Sequence, residues 1–286
     1  MKKRIAYTGY IIIVTVFFLY YLFPCVAVTS YINYQINSMS PGVKLSIKEL
    51  KPSFPPGMKF FTLDLMHRNK NIIGADFLKI SPSYFSLFSK DKTFFINGDI
   101  YEGCLNSTIQ VADISANPAF DLDASFGGVQ ISQIPAINEF EAYQISGVAT
   151  GDIVYSNREI KGGKGNAGIT VTDSTIQFTP ALFGIDQLAF KAINADFEVI
   201  NQRMTLKKLD VDSREVSAHA SGSIILRNPI NKSTINIRGE LKPHPTFIKQ
   251  LDNIFPVELI SRQKSKTGGI PFRITGSLER PNFSLR

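Results

Sequence analysis

From Val43 onward, apolar and polar residues alternate along the chain. Val43, Leu45 and Ile47 interleave with Lys44, Ser46 and Lys48. Phe61, Leu63 and Leu65 alternate with Thr62 and Asp64. Ile235, Ile237 and Leu241 share one phase, with Asn236, Arg238 and Glu240 in the other, and Phe272, Ile274 and Leu278 repeat the pattern near the C-terminus. A period of two places apolar side chains on one face of a β-strand and polar ones on the opposite face. The pattern predicts an antiparallel sheet with one wet face. Reversals are marked by Pro52 to Gly57, Asn97-Gly98, Gly127-Gly128, Asn157-Arg158 and Gly162-Gly163-Lys164-Gly165-Asn166. Between Leu188 and Val199 the apolar set moves from Leu188 and Phe190 to Ile193, Ala195, Phe197 and Val199, a change of phase that one β-bulge explains.

Helical periodicity is scarce in this part of the chain. Phe247, Leu251, Ile254 and Phe255 fall at i, i+4, i+7 and i+8, one amphipathic face between Pro245 and Pro256. They form a candidate helix that closes over the sheet. Pro82 to Ser89 and Ile134 to Phe140 suit a turn or two each. Strands and helices do not alternate as in βαβ units, so a doubly wound or barrel-type α/β fold is not expected. The expected fold is mainly β. It is an elongated, curved antiparallel sheet, either a trough or folded over on itself, with a few short helices.

The first forty residues follow a different rule. After Lys2, Lys3 and Arg4, no Asp, Glu, Lys or Arg occurs until Lys44. Ile11, Ile12, Ile13, Val14, Val16, Phe17, Phe18 and Leu19 lie in an almost unbroken apolar run. A helix over 7–28 would rise roughly 33 Å, enough for a hydrocarbon core of about 30 Å. Tyr7, Tyr10, Tyr20 and Tyr21 sit toward its ends, where amphipathic rings favour the membrane interface. The expected division is a basic tail (1–6), a single transmembrane helix (7–28) and an exported β-domain (29–286). Lys2, Lys3 and Arg4 would hold the N-terminus in the cytoplasm and place the bulk of the chain in the periplasm. A cleaved signal peptide is the rival reading. The run is longer than the usual apolar core, and Ala27 to Thr29 makes a poor cleavage site. Phe23 and Pro24, ahead of Cys25, are too bulky for a lipoprotein signal.

Composition narrows the chemistry. The 286 residues hold 22 Phe but no Trp, and only 3 His and 2 Cys. Without the basic tail, 31 Lys+Arg fall to 28 against 24 Asp+Glu, with no basic stripe of the kind that binds nucleic acid. Cys104 is the one cysteine beyond the apolar segment, and its expected place is a buried, small apolar position. His67, His219 and His244 have no partner at metal-ligand spacing. No Gly-x-Ser-x-Gly elbow is present, although a triad assembles through space and leaves no spacing to read. The glycine-rich run at 162–166 lacks the spacing of a phosphate loop and reads as a hairpin turn. Asp121 with Asp123, and Asp210 with Asp212, each share a strand face and could hold a cation weakly, or be solvated. Asn106-Ser107-Thr108 and Asn231-Lys232-Ser233 match the glycosylation pattern. No catalytic residue, metal or cofactor is expected.

Several ordered stretches carry a resemblance. Leu45-Ser46-Ile47-Lys48-Glu49-Leu50, followed by Pro55-Pro56-Gly57-Met58-Lys59-Phe60, is similar to the opening strand pair of the type II secretion system protein N family. Ile80 to Lys90 leading into Phe94-Phe95-Ile96-Asn97-Gly98-Asp99-Ile100 resembles the strand, short turn and strand of the wider AsmA-like proteins. Ser221-Gly222-Ser223-Ile224-Ile225-Leu226, and Gly268 to Pro281 at the end, resemble further units of that kinship.

The resemblance implies a Gram-negative inner-membrane protein with a periplasmic β-domain. Its implied role is an accessory or scaffold that contacts platform components of a type II secretion system. The AsmA-like kinship implies an alternative, in which an apolar β-trough binds or transfers lipid and a phospholipid is the bound ligand. An enzyme acting on the envelope is the third reading, and it needs a histidine clustered with a carboxylate in a pocket.

Overall fold

Alternating residues bury one side of a strand, and a chain that repeats this pattern between short turns pairs each strand with the next. A computed structural model describes the chain apart from residues 1, 40–41, 54–56, 68–69, 113–118, 139–142, 159–161, 183–184, 202, 228–231, 246–268, 278–279 and 286. Among the described residues, fourteen strands form one sheet in chain order. They are β1 (Val43–Ser53), β2 (Gly57–His67), β3 (Lys70–Pro82), β4 (Lys92–Ile100), β5 (Gly103–Val111), β6 (Phe120–Gln130) and β7 (Tyr143–Ser156). There follow β8 (Lys164–Leu182), β9 (Ile185–Ile200), β10 (Arg203–Ser213), β11 (Val216–Ile225), β12 (Thr234–Pro243), β13 (Ile270–Ser277) and β14 (Pro281–Leu285). Every pairing is antiparallel, and the sheet is open and curved. At a strand spacing near 4.8 Å it is about 60 Å from first strand to last.

Directly opposed residues of an antiparallel pair point to the same face, so the register traces each face from strand to strand. One row runs Pro52, Met58, Ile80, Ile96, Ser107, Ala124, Ile153, Ala167, Phe197, Leu206, Gly222, Ile237, Ile274, Phe283. It crosses every strand, and no member is charged. The neighbouring row, on the opposite face, runs Lys51, Lys59, Lys79, Asn97, Asn106, Ser125, Asp152, Gly168, Asp196, Lys208. Along these two rows the sheet has one uncharged side and one polar side. The strand pairing slips between Ala192 and Phe190, where the apolar set changes phase.

The N-terminal segment departs from the expected single helix over 7–28. Helix α1 (Lys2–Tyr21) ends before Leu22, and α2 (Cys25–Met39) starts after Pro24. Proline lacks an amide hydrogen and biases the residue before it away from helical geometry, which breaks the helix here. Among the described residues, no helix is long and apolar enough to cross a membrane. Helix α2 instead docks on β1, where Asn33 Oδ1 accepts the Leu45 amide at 2.9 Å. That bond satisfies a backbone donor on the outer edge of the sheet, a position otherwise open to foreign strands.

The remaining regular pieces are short. A 3₁₀ turn at Ser86–Phe88 sits between β3 and β4. A second, at Ile131–Gln133, runs into α3 (Pro135–Asn138) between β6 and β7. Val129, Ile131 and Ala149 are buried together, with Tyr101, Phe126, Ile134, Ile137 and Val171 packed round them. Helix α3 reaches both β3 and β7, so this segment covers one rim of the apolar face. The candidate helix bearing Phe247, Leu251, Ile254 and Phe255 lies outside the described residues, as does Leu278.

Candidate apolar groove

A long apolar surface stays smooth only where its backbone is covered and its side chains lie flat. Glycine permits this, because a large neighbour can rest on a residue that has no Cβ. Phe126 covers Gly151 in this way, and a Cβ there would stand 2.8 Å from the ring. Phe272 covers Gly239 at 2.6 Å, and Leu78 covers Gly98 at 2.5 Å, by the same measure. All three pairs belong to the apolar face. Phe272 in turn stacks on Phe283, with ring centroids 5.7 Å apart.

Among the described residues, the face has few neighbours beyond the rim under α3. Among the described residues, Ile131–Gln133 and α3 pack on β3 and β7 beside Ile100, Phe126 and Val171, and α2 packs beside β1. The Ser86–Phe88 turn packs on β4, and the other main neighbours of each strand are the strands on either side. Leu206, Ile235 and Phe272 are nonetheless buried. Ser107, the one hydroxyl in the long apolar row, is buried with no partner for its Oγ among the described residues. The arrangement is a groove with an uncharged central row and a polar back.

The polar face carries a cluster of titratable groups. Over β10–β13 it forms an open depression lined by Lys208, Asp210, His219, Arg238 and Arg273. His219 Nδ1 lies 2.6 Å from Asp210 Oδ1, and Lys208 Nζ also contacts that carboxylate. The Lys208 ammonium first, and His219 second, hold the Asp210 carboxyl below its ordinary range. This is the histidine–carboxylate pair that an enzyme reading requires. However, the His219 side chain is 64% exposed, and among the described residues no hydroxyl or thiol is bonded to its other nitrogen. His244 Nε2 lies 3.2 Å from Ser217 Oγ, and His67 is paired with Lys70 across a hairpin. The three histidines do not converge on one pocket. Among the described residues, no group of three or more His, Cys, Asp or Glu is placed to hold a metal ion.

The other sequence candidates fall as follows. Asp121 is the partner of Arg158 rather than of Asp123. Gly162 and Gly163 adopt positive φ at the β7–β8 hairpin, consistent with a turn. Asn106 lies on the polar face, bonded to Asn97 at 2.8 Å, while Asn231 is outside the described residues. Cys104 is exposed, contrary to expectation, because Leu105 takes the apolar side of β5 and leaves Cys104 on the wet one. Of the basic tail and apolar run, Arg4, Ile11, Phe17 and Phe18 are exposed, and the side chains of Lys2, Lys3, Ile12, Ile13, Val16 and Leu19 lie outside the description. Sequence reasoning missed the glycine–aromatic pairs, since they appear only once the register is known.

No family model matches the chain, and no curated protein or solved structure matches it either.

Proposed function

We propose that this chain is a membrane-attached lipid-binding protein that holds acyl chains along its apolar groove. The observation that carries this reading is the row from Pro52 to Phe283, which crosses all fourteen strands without a charge. Acyl chains need no hydrogen bonds, and a floor with none to offer suits them. A folded protein partner would instead be met by an apolar centre with a polar rim. Attachment is supported by the N-terminal segment, which exposes Tyr10, Ile11, Phe17, Phe18, Leu22 and Val26. The role is binding rather than catalysis.

The test is mass spectrometry of lipid recovered with the full-length protein. Ile153 faces the groove, and Val154, next to it, faces away. Phospholipid should accompany the wild type and Val154→Glu but be lost from Ile153→Glu. A folded wild type free of lipid, or equal lipid in both variants, would sink the proposal.

A scaffold role in a type II secretion system, on the periplasmic side of the inner membrane, is the second reading. The outer edge of β14, which has no strand partner among the described residues, is the observation in its favour. A partner strand could add there. Cross-linking from Asn282 in cells should capture a secretion component if this reading holds, and nothing if it does not.

A further inference from the structure

Loops that show large apolar side chains to water usually fold them back. The β3–β4 loop does the reverse. Phe85 is 92% exposed and Phe88 95% exposed, with Tyr84 and Leu87 exposed beside them. The loop is nevertheless tightly built. The amides of Ser86, Leu87, Phe88 and Ser89 all donate within the loop, to the carbonyls of Ser83, Tyr84, Phe85 and Ser86. Ser86 is buried, and its Oγ donates to the Ser83 carbonyl at 2.7 Å and accepts the Thr93 amide at 2.9 Å. Lys92 Nζ caps the carbonyls of Leu87 at 2.9 Å and Ser89 at 2.6 Å. A backbone that meets its own hydrogen-bonding needs can enter a medium without water, and an ordinary surface loop cannot.

Charge around the tip points to a lipid surface. Asp91 is paired with Arg158 Nη1 at 2.7 Å, and Lys90 and Lys92 flank it in the loop. An aromatic tip inside a cationic collar is the arrangement that suits the boundary between acyl chains and anionic headgroups. We propose that Phe85 and Phe88 insert into an anionic bilayer, so that this loop is a second membrane contact, separate from the N-terminal helices. The antiparallel order puts β3–β4 on the rim opposite the one where α2 enters β1. Contact at both rims turns the β1 end of the groove toward the bilayer. The insertion does not require that the groove carry lipid.

The chain has no Trp, so one introduced residue reports alone. Full-length Phe85→Trp is compared with Thr172→Trp, an exposed site on the polar face of β8. Both are reconstituted with phosphatidylcholine vesicles containing about 30% phosphatidylglycerol. The expected result is a blue-shifted emission for the loop reporter and at least about twofold quenching by brominated phospholipid, with neither for the Thr172 reporter. Adding Phe88→Asp or Lys90→Glu to the loop reporter should reduce the quenching. Both sites are exposed, so both variants should fold. Equal, water-like emission from the two reporters would overturn the inference. A blue shift that grows with protein concentration in the absence of vesicles would also overturn it, because a protein surface would then cover the loop. Loss of groove lipid in Ile153→Glu with loop quenching intact would leave this inference standing and separate the two proposals.

Discussion

The ring of Phe126 on β6 rests on Gly151 of β7, and a Cβ at residue 151 would stand 2.8 Å from the ring and 2.5 Å from the Gly168 carbonyl oxygen. The pair leaves the groove floor flat at the middle of the sheet. Gly151→Val must displace both a side chain and a backbone group. Overpacking of this kind costs about 1–3 kcal/mol, which a lowered urea midpoint would register. Adding Phe126→Leu should restore only part of the loss, since the carbonyl remains in the way. Full restoration would mean that the ring alone sets the spacing.

Arg158 ties together three connections on one rim. Its guanidinium meets Asp91 at 2.7 Å and Asp121 at 2.6 Å, and donates to the Gln110 carbonyl at 3.2 Å. These partners flank the β3–β4 and β5–β6 connections. Arg158→Met keeps the length of the side chain and removes the charge. It should cost about 1 kcal/mol, as for a partly exposed ion-pair network. Hydrogen exchange should quicken at the amides of 86–89, while those of β11 and β12 stay unchanged. Uniform quickening across the sheet would contradict a local role.

Asp210 gives the polar face a pH dependence of known sign. Lys208, then His219, holds its carboxyl below the ordinary carboxylate range in the folded protein. Its contribution is therefore fully present above the ordinary carboxylate range and fades as pH falls through the depressed folded value. Asp210→Asn should be less stable than wild type at neutral pH, by roughly 0.5 kcal/mol for so solvated a cluster. The two should converge in acid. A difference that grows as pH falls would reverse the assignment.

Much of the fold is legible in the residues. Val43 to Ile47, Ile235 to Leu241 and Phe272 to Ile274 show their apolar side because their opposite side is wet. The slip near Phe190 is legible for the same reason, as a change of phase. The groove itself is harder to see. Its long row includes Ser107, Ala167 and Gly222, which signal nothing apolar until register sets them beside Ile96, Phe197 and Leu206. Phe126 and Gly151 are 25 positions apart in sequence and meet only through pairing. The unbroken helix over 7–28 fails because hydropathy counts Pro24 as a mild residue and not as a missing hydrogen bond. The turn at Ser86–Phe88 is legible, but the exposure of Phe85 and Phe88 is not, since apolar residues in a turn usually face inward.

Under the proposed function, lipid lies against the apolar face. The most direct measurement places a photoreactive benzoylphenylalanine at Phe197, whose side chain faces the groove, and separately at Glu198, whose side chain faces away. Both full-length variants are irradiated in membranes and examined by intact-protein mass spectrometry. The account requires a phospholipid-sized adduct at residue 197 and none at 198. Equal adducts at both positions, or an unmodified protein at 197, would contradict it.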